Sequence, residues 1–189
     1  MARIPYAAPE PLQQMLRRTP FPEDTSGNVF RILARAPSVG AGALNLIYAV
    51  LTETELDPRL REIVILRVAQ RSGAAYAFAQ HAAIAASVGV APAQVSALKQ
   101  GRLVGHAFSR AERVALAFAD EAVEAPTVSE ETFAQLSEHF PPRQILELLL
   151  TAGCFRMMCR LVTVLDLEQE PAFGVDTLRR AGEPALERC

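Results

Sequence analysis

DPRLREIVILRVAQRSGAAYAFAQHAAIAASVGV, residues 57–90, decides the fold. It predicts two apolar helices joined at Gly73. Asp57 is placed to cap the free backbone N–H groups of the first, and Pro58 suits a first helical position, where no N–H is needed. Ile63, Val64, Ile65, Leu66, Val68 and Ala69 make this helix apolar almost all round, which predicts burial among other helices. Glu62 breaks the pattern: its same-face neighbours are Ile65, Leu66 and Ala69. A carboxylate there needs a partner, a proton or a water-filled pocket. The second helix is expected over about residues 74–88, with Gly89 as its stop. Ala74, Ala77, His81, Ile84, Ala85 and Val88 form one stripe on it, with His81 the sole ionisable member. Tyr76 and Gln80, four apart, lie beside that stripe.

Each of these residues has a plainer reading. Glu62 fits a first-turn acid pairing with Arg59 and the helix dipole. His81 fits a hydrogen-bonded core histidine, and Tyr76 a packed aromatic with its hydroxyl near the surface. Together they set an acid and an imidazole on consecutive buried helices, a pattern expected of functional sites.

Working outward, residues 1–25 are rich in proline and read as an extended arm with one helical turn at 12–18, anchored by Tyr6 and Phe21. Helices follow through NVFRILARA and, capped by Ser38, through VGAGALNLIYAVLTE. Asn45 and Tyr48 are polar handles on the latter. Beyond the central pair come PAQVSALKQ, a loop carrying His106, and SRAERVALAFADEAVEA, where Ser109 and Glu112 spell a capping box. SEETFAQLSEHF and the long RQILELLLTAGCFRMMCRLVTVLDL complete about eight helical segments. Arg156 and Arg160, four apart on the last, suit either a carboxylate clamp or a solvated or interface role. Residues 169–189 lose periodicity and read as an irregular tail with one helical turn. The expected fold is all-α, a single domain over residues 26–168 flanked by arm and tail.

Composition narrows the function classes. The chain has 189 residues, half of them hydrophobic, and a formal charge of −2, which fits one sizeable core. Only Lys99 among the basic residues is a lysine, and no basic patch points to nucleic acid. Cys154, Cys159 and Cys189 form no disulfide framework and no metal-ligand spacing, so no metal is expected. Without an apolar leader or membrane-length run, a cytoplasmic location is expected.

The central stretch resembles the carboxymuconolactone decarboxylase and alkylhydroperoxidase D superfamily. The resemblance rests on LREIVILRVA, AYAFAQH and IAASVGV, with FSRAERVALAFADE and FPPRQILELLLTAG further on. The peroxidase branch carries a Glu, eleven residues, Cys-x-x-Cys, three residues and a His. This chain keeps the frame from Glu62 through residues 74–77 to His81, but Ala74 and Ala77 stand where the cysteines belong. Dithiol chemistry needs an attacking thiolate and a resolving thiol, and alanine supplies neither.

The resemblance therefore implies an alkylhydroperoxidase D-like helical bundle, a homotrimer or homohexamer, and a cofactor-independent lyase acting on a lactone or carboxylate-bearing small molecule. Decarboxylation leaves an electron-rich dienolate that must be protonated. His81 is the expected general acid/base, tuned by Glu62. Tyr76 is expected to donate to a developing oxyanion, Gln80 to orient the substrate, and Arg156 or Arg160 to bind the carboxylate. The alternatives are an antioxidant peroxidase relative, using Cys154 or Cys159, and a non-catalytic helical oligomer that binds a small ligand.

Overall fold

A computed structural model describes residues 1–103 and 107–182. Its described residues form ten α-helices and no strand. In order these are α1 (Pro9–Leu16), α2 (Asn28–Leu33), α3 (Pro37–Thr52), α4 (Pro58–Arg71), α5 (Ala75–Ser87), α6 (Pro92–Lys99), α7 (Arg110–Glu124), α8 (Glu130–His139), α9 (Pro142–Val164) and α10 (Gly174–Ala181). The all-helical expectation holds. The two helices beyond the expected eight are α1 and α10, where the arm and the tail each extend a single turn into a real helix. His106 and Cys189 lie outside the described residues.

The hub is α4, packed against α5, α6, α7 and α9. Its start follows the expected chemistry: the Asp57 side chain accepts from the Arg59 and Leu60 N–H groups at 2.9 and 3.0 Å. Ile63, Val64, Ile65, Leu66 and Val68 are wholly enclosed. Each such side chain contributes about 2 kcal/mol relative to an exposed position. Gly73, at φ 63°, turns the chain between α4 and α5 in the left-handed region that costs glycine least. The capping box at α7 forms as read, with Glu112 accepting from the Ser109 N–H at 2.7 Å and Ser109 Oγ from the Glu112 N–H at 3.2 Å. Ser38 does not cap α3. That helix begins at Pro37, whose fixed φ suits the first turn, and Ala36 takes the cap position.

The arm folds back on its own chain. Ala7, Leu12, Met15, Leu16 and Phe21 are buried, and α1 packs on α3. The described part of the tail is equally well fixed. Asn28 donates its backbone N–H to Glu170 at 2.7 Å and its side-chain amide to the Glu168 carbonyl at 3.2 Å. The Tyr6 hydroxyl donates to Glu168. Residues 168–173 thus form a strap that delivers α10 onto α5.

Candidate active site

Two consecutive helices bring the site together. Glu62, just past the first turn of α4, has no solvent exposure. His81, near the middle of α5, places Nδ1 2.9 Å from Glu62 Oε2. The tight Gly73 turn sets α4 and α5 side by side, which brings positions distant in sequence into register. Phe155 of α9 packs edge-on against the imidazole, with ring centroids 4.7 Å apart, and fixes the ring plane. The other carboxylate oxygen of Glu62 accepts from Arg61 Nε at 3.3 Å.

Glu62 acts as an acceptor on both sides, so Nδ1 of His81 carries the shared proton. In the neutral ring the lone pair then lies on Nε2. This tautomer is assigned from the hydrogen bond.

Arg61 belongs to no motif, yet on a helix buried all round a guanidinium must also find an anion, and Arg61 is only 6% exposed. The Arg59 pairing considered for Glu62 does not occur. Arg59 instead donates to the Gly89 carbonyl at 3.0 Å and lies 3.6 Å from Glu112.

A cavity of about 100 Å³ opens beside the imidazole. Its walls come from α2, α3, α5, α9 and α10, and include Phe30, Leu44, Ile47, Phe155, Met158 and Phe173. Tyr76, Gln80 and His81 also line it. Tyr76 and Gln80 are turned to a structural task as well. The Tyr76 hydroxyl donates to Glu170. Gln80 donates to the Glu170 and Pro171 carbonyls at 3.3 and 3.4 Å and accepts from the Phe173 N–H at 3.1 Å. Burial and the Glu170 carboxylate raise the phenol of Tyr76 far above its ordinary range. These two residues clasp the strap, and the strap seats Phe173 and α10 as the cavity's roof. No local pattern signals this, because the partners lie some ninety residues away in a tail without periodicity.

The two arginines expected to bind a carboxylate lie elsewhere. Arg156 donates to Ser72 Oγ at 2.9 Å, and Arg160 is exposed on α9. Among the described residues that line the cavity there is no Lys or Arg. Cys154 and Cys159 are buried off the cavity wall, and burial raises both thiols to about 11. Among the described residues no cluster of three or more His, Cys, Asp or Glu side chains is set to hold a metal. No helix among them is long and apolar enough to cross a membrane.

Comparison with known proteins places this geometry in context. Residues 37–121 match the model of the Carboxymuconolactone decarboxylase family. A peroxidase-related protein with an alkylhydroperoxidase AhpD core from Ralstonia eutropha JMP134 superposes with a TM-score of 0.74 at 20% identity, covering 89% of this chain and 92% of that one. The debrominase Bmp8 superposes at 0.69 with 18% identity, covering 92% and 91%. A peroxidase-related protein from Silicibacter sp. TM1040 gives 0.65 at 20% identity, covering 74% and 76%. These likenesses establish the fold. No curated protein matches the sequence.

Proposed function

Residues 37–121 carry the carboxymuconolactone decarboxylase family's pattern on an alkylhydroperoxidase D-like fold, and from that premise we propose that this protein is a cofactor-independent acid–base enzyme, a lyase or related proton-transfer catalyst acting on a small molecule. One observation carries the reading: the buried 2.9 Å contact between Glu62 and His81 at the cavity wall. Glu62 holds the imidazole in one tautomer and stabilises the imidazolium that forms when Nε2 takes a proton from the substrate. The same nitrogen then returns the proton to an electron-rich intermediate. A positioned acid/base of this kind contributes about 10²–10⁴-fold in rate. The thiol peroxidase alternative is disfavoured by alanines at 74 and 77 and by the burial of Cys154 and Cys159.

The test follows wild type, His81→Ala and Glu62→Gln with γ-carboxymuconolactone and simpler lactones and enols, measuring CO2 release and C–H exchange in D2O. Turnover of an uncharged lactone or enol in wild type, read as C–H exchange, with a loss of about 10²-fold or more in His81→Ala, is the expected result. Hydroperoxide reduction with a dithiol, lost in Cys154→Ser/Cys159→Ser and kept in His81→Ala, would overturn it.

A further inference from the structure

We propose that the ligand of this cavity is an uncharged, mostly apolar molecule no larger than a single small ring, with one hydrogen-bonding group turned to His81. The inference rests on the acid–base reading of the site and departs from the carboxylate-bearing substrate that the sequence resemblance implies.

Charge is the first argument. An anion buried without a cation or a full set of donors pays a desolvation cost that an apolar wall does not return. Here no Lys or Arg is among the described residues that line the cavity, and the Arg61 guanidinium is directed to Glu62. Behind the wall stand two carboxylates, Glu62 against His81 and Glu170 against Tyr76, and both disfavour a further negative charge. A cation fares little better, since neither carboxylate lines the cavity and so neither meets the ligand directly.

The polar inventory is the second argument. Tyr76 and Gln80 direct their hydrogen bonds to the strap. The other polar side chains of the lining are His81, whose Nδ1 is engaged by Glu62 so that Nε2 is left for a ligand, and, from the roof, Thr177. Two such groups recognise one hydroxyl, carbonyl or ring heteroatom, not a carboxylate. Size is the third argument. The volume of about 100 Å³ is below the ~150 Å³ of a dry engineered cavity that takes benzene. The flexible Met158 side chain in the wall is the part most able to yield to a six-membered ring.

Phenol, benzoate and benzylammonium make the test, because they share a ring and differ in charge. Binding to the full chain at pH 8 is read by calorimetry and by the Met158 methyl signal. Phenol is expected to bind at least tenfold more tightly than either ion. Ala77→Leu fills the cavity from α5 and is expected to abolish phenol binding with helical content intact. Ala77→Val serves the same purpose should the larger side chain unfold the protein. Benzoate binding as tightly as phenol, no phenol binding up to its solubility limit, or phenol binding indifferent to a folded filling variant would each overturn the proposal. The two readings fail separately. A benzoate preference with turnover still lost in His81→Ala sinks the ligand class alone. A phenol preference with turnover unchanged in His81→Ala sinks the acid–base role alone.

Discussion

Glu62 is held by donors from two sides, and each can be removed singly. Arg61→Met leaves an enclosed carboxylate with one partner, and breaking a buried pair in this way costs about 3 kcal/mol. Urea denaturation checks it. Adding Glu62→Gln to Arg61→Met is expected to recover part of that loss, because the carboxylate that needed the guanidinium is gone. A strictly additive double mutant would show that the two groups do not interact. Activity is expected to separate from stability here. Glu62→Gln keeps a hydrogen-bond acceptor for Nδ1 but not the charge that stabilises the imidazolium, so kcat is expected to fall by about 10²-fold with little change in KM. Glu62 and His81 were each legible in the sequence as ionisable groups on adjoining apolar helices, but their contact was not, because 19 positions and the Gly73 turn separate them. Arg61 takes its burial from the whole packed helix rather than from its own position, so only the all-round apolar pattern of α4 points to it.

The element that most changes the picture is the strap with α10. Its anchors are side chains from the arm, α2 and α5, so they register only once those elements meet. At eight residues α10 spans barely two turns, too short for its amphipathic pattern to stand out from an isolated turn. Tyr76→Phe removes a hydrogen bond to the Glu170 carboxylate, and such charge-assisted bonds contribute about 1.5–3 kcal/mol. The expected result is amide exchange across α10 at least tenfold faster, with the α4 amides unchanged. Uniform acceleration throughout the chain would mean that the strap opens only with global unfolding. Sterics offer a second route. A Cβ at Gly27 would stand 2.4 Å from the Phe173 ring, so Gly27→Ala is expected to push Phe173 out of the roof.

The same strap has a defined acid limit. The Tyr6 hydroxyl, with the backbone N–H of its own residue, holds Glu168 down at about 2 from an ordinary 4.5. A depressed carboxylate contributes stability that is present above its unfolded value and is lost as pH falls through the folded one. Loosening of the strap through Glu168 is therefore expected between pH 4.5 and about 2. In Tyr6→Phe the Glu168 carboxyl, followed by NMR, is expected to titrate closer to 4.5. A titration unmoved by that substitution would assign the depression to the other groups around Glu168.

At the scale of the molecule, α9 has two faces with different partners. One buries Leu148, Ala152, Phe155, Met158 and Val162 in the core and lends Phe155 to His81. The other exposes Leu146, Leu149, Leu150, Met157 and Val164, which recur at helical spacing on one side of the helix, with Arg160 between the last two. Gly153 sits on that side, and a Cβ built there would meet nothing within 4 Å, which leaves room for another helix to approach closely. Several large apolar side chains exposed along one side of a single helix mark an interaction face. The amphipathic pattern of RQILELLLTAG was visible as hydrophobic excess in the sequence. Which residues were surplus to the core was not visible, since that depends on where α4 and α3 lie against α9. We propose that a second copy of this chain covers this face, so that the protein is a homo-oligomer in solution. Such an arrangement satisfies the same face on every subunit at once and requires no other partner. Leu149→Glu and Leu150→Glu put charges on this face without touching the cavity, and sedimentation velocity is expected to show wild-type oligomers replaced by folded monomers. A wild type that sediments as a monomer, or variants that stay assembled, would show that this face is not where the copies meet. Because Phe155 and the exposed leucines share one helix, assembly and the site are also expected to be linked. Dissociated variants should bind phenol more weakly than wild type, while an unchanged affinity would show that each chain holds its imidazole in place unaided.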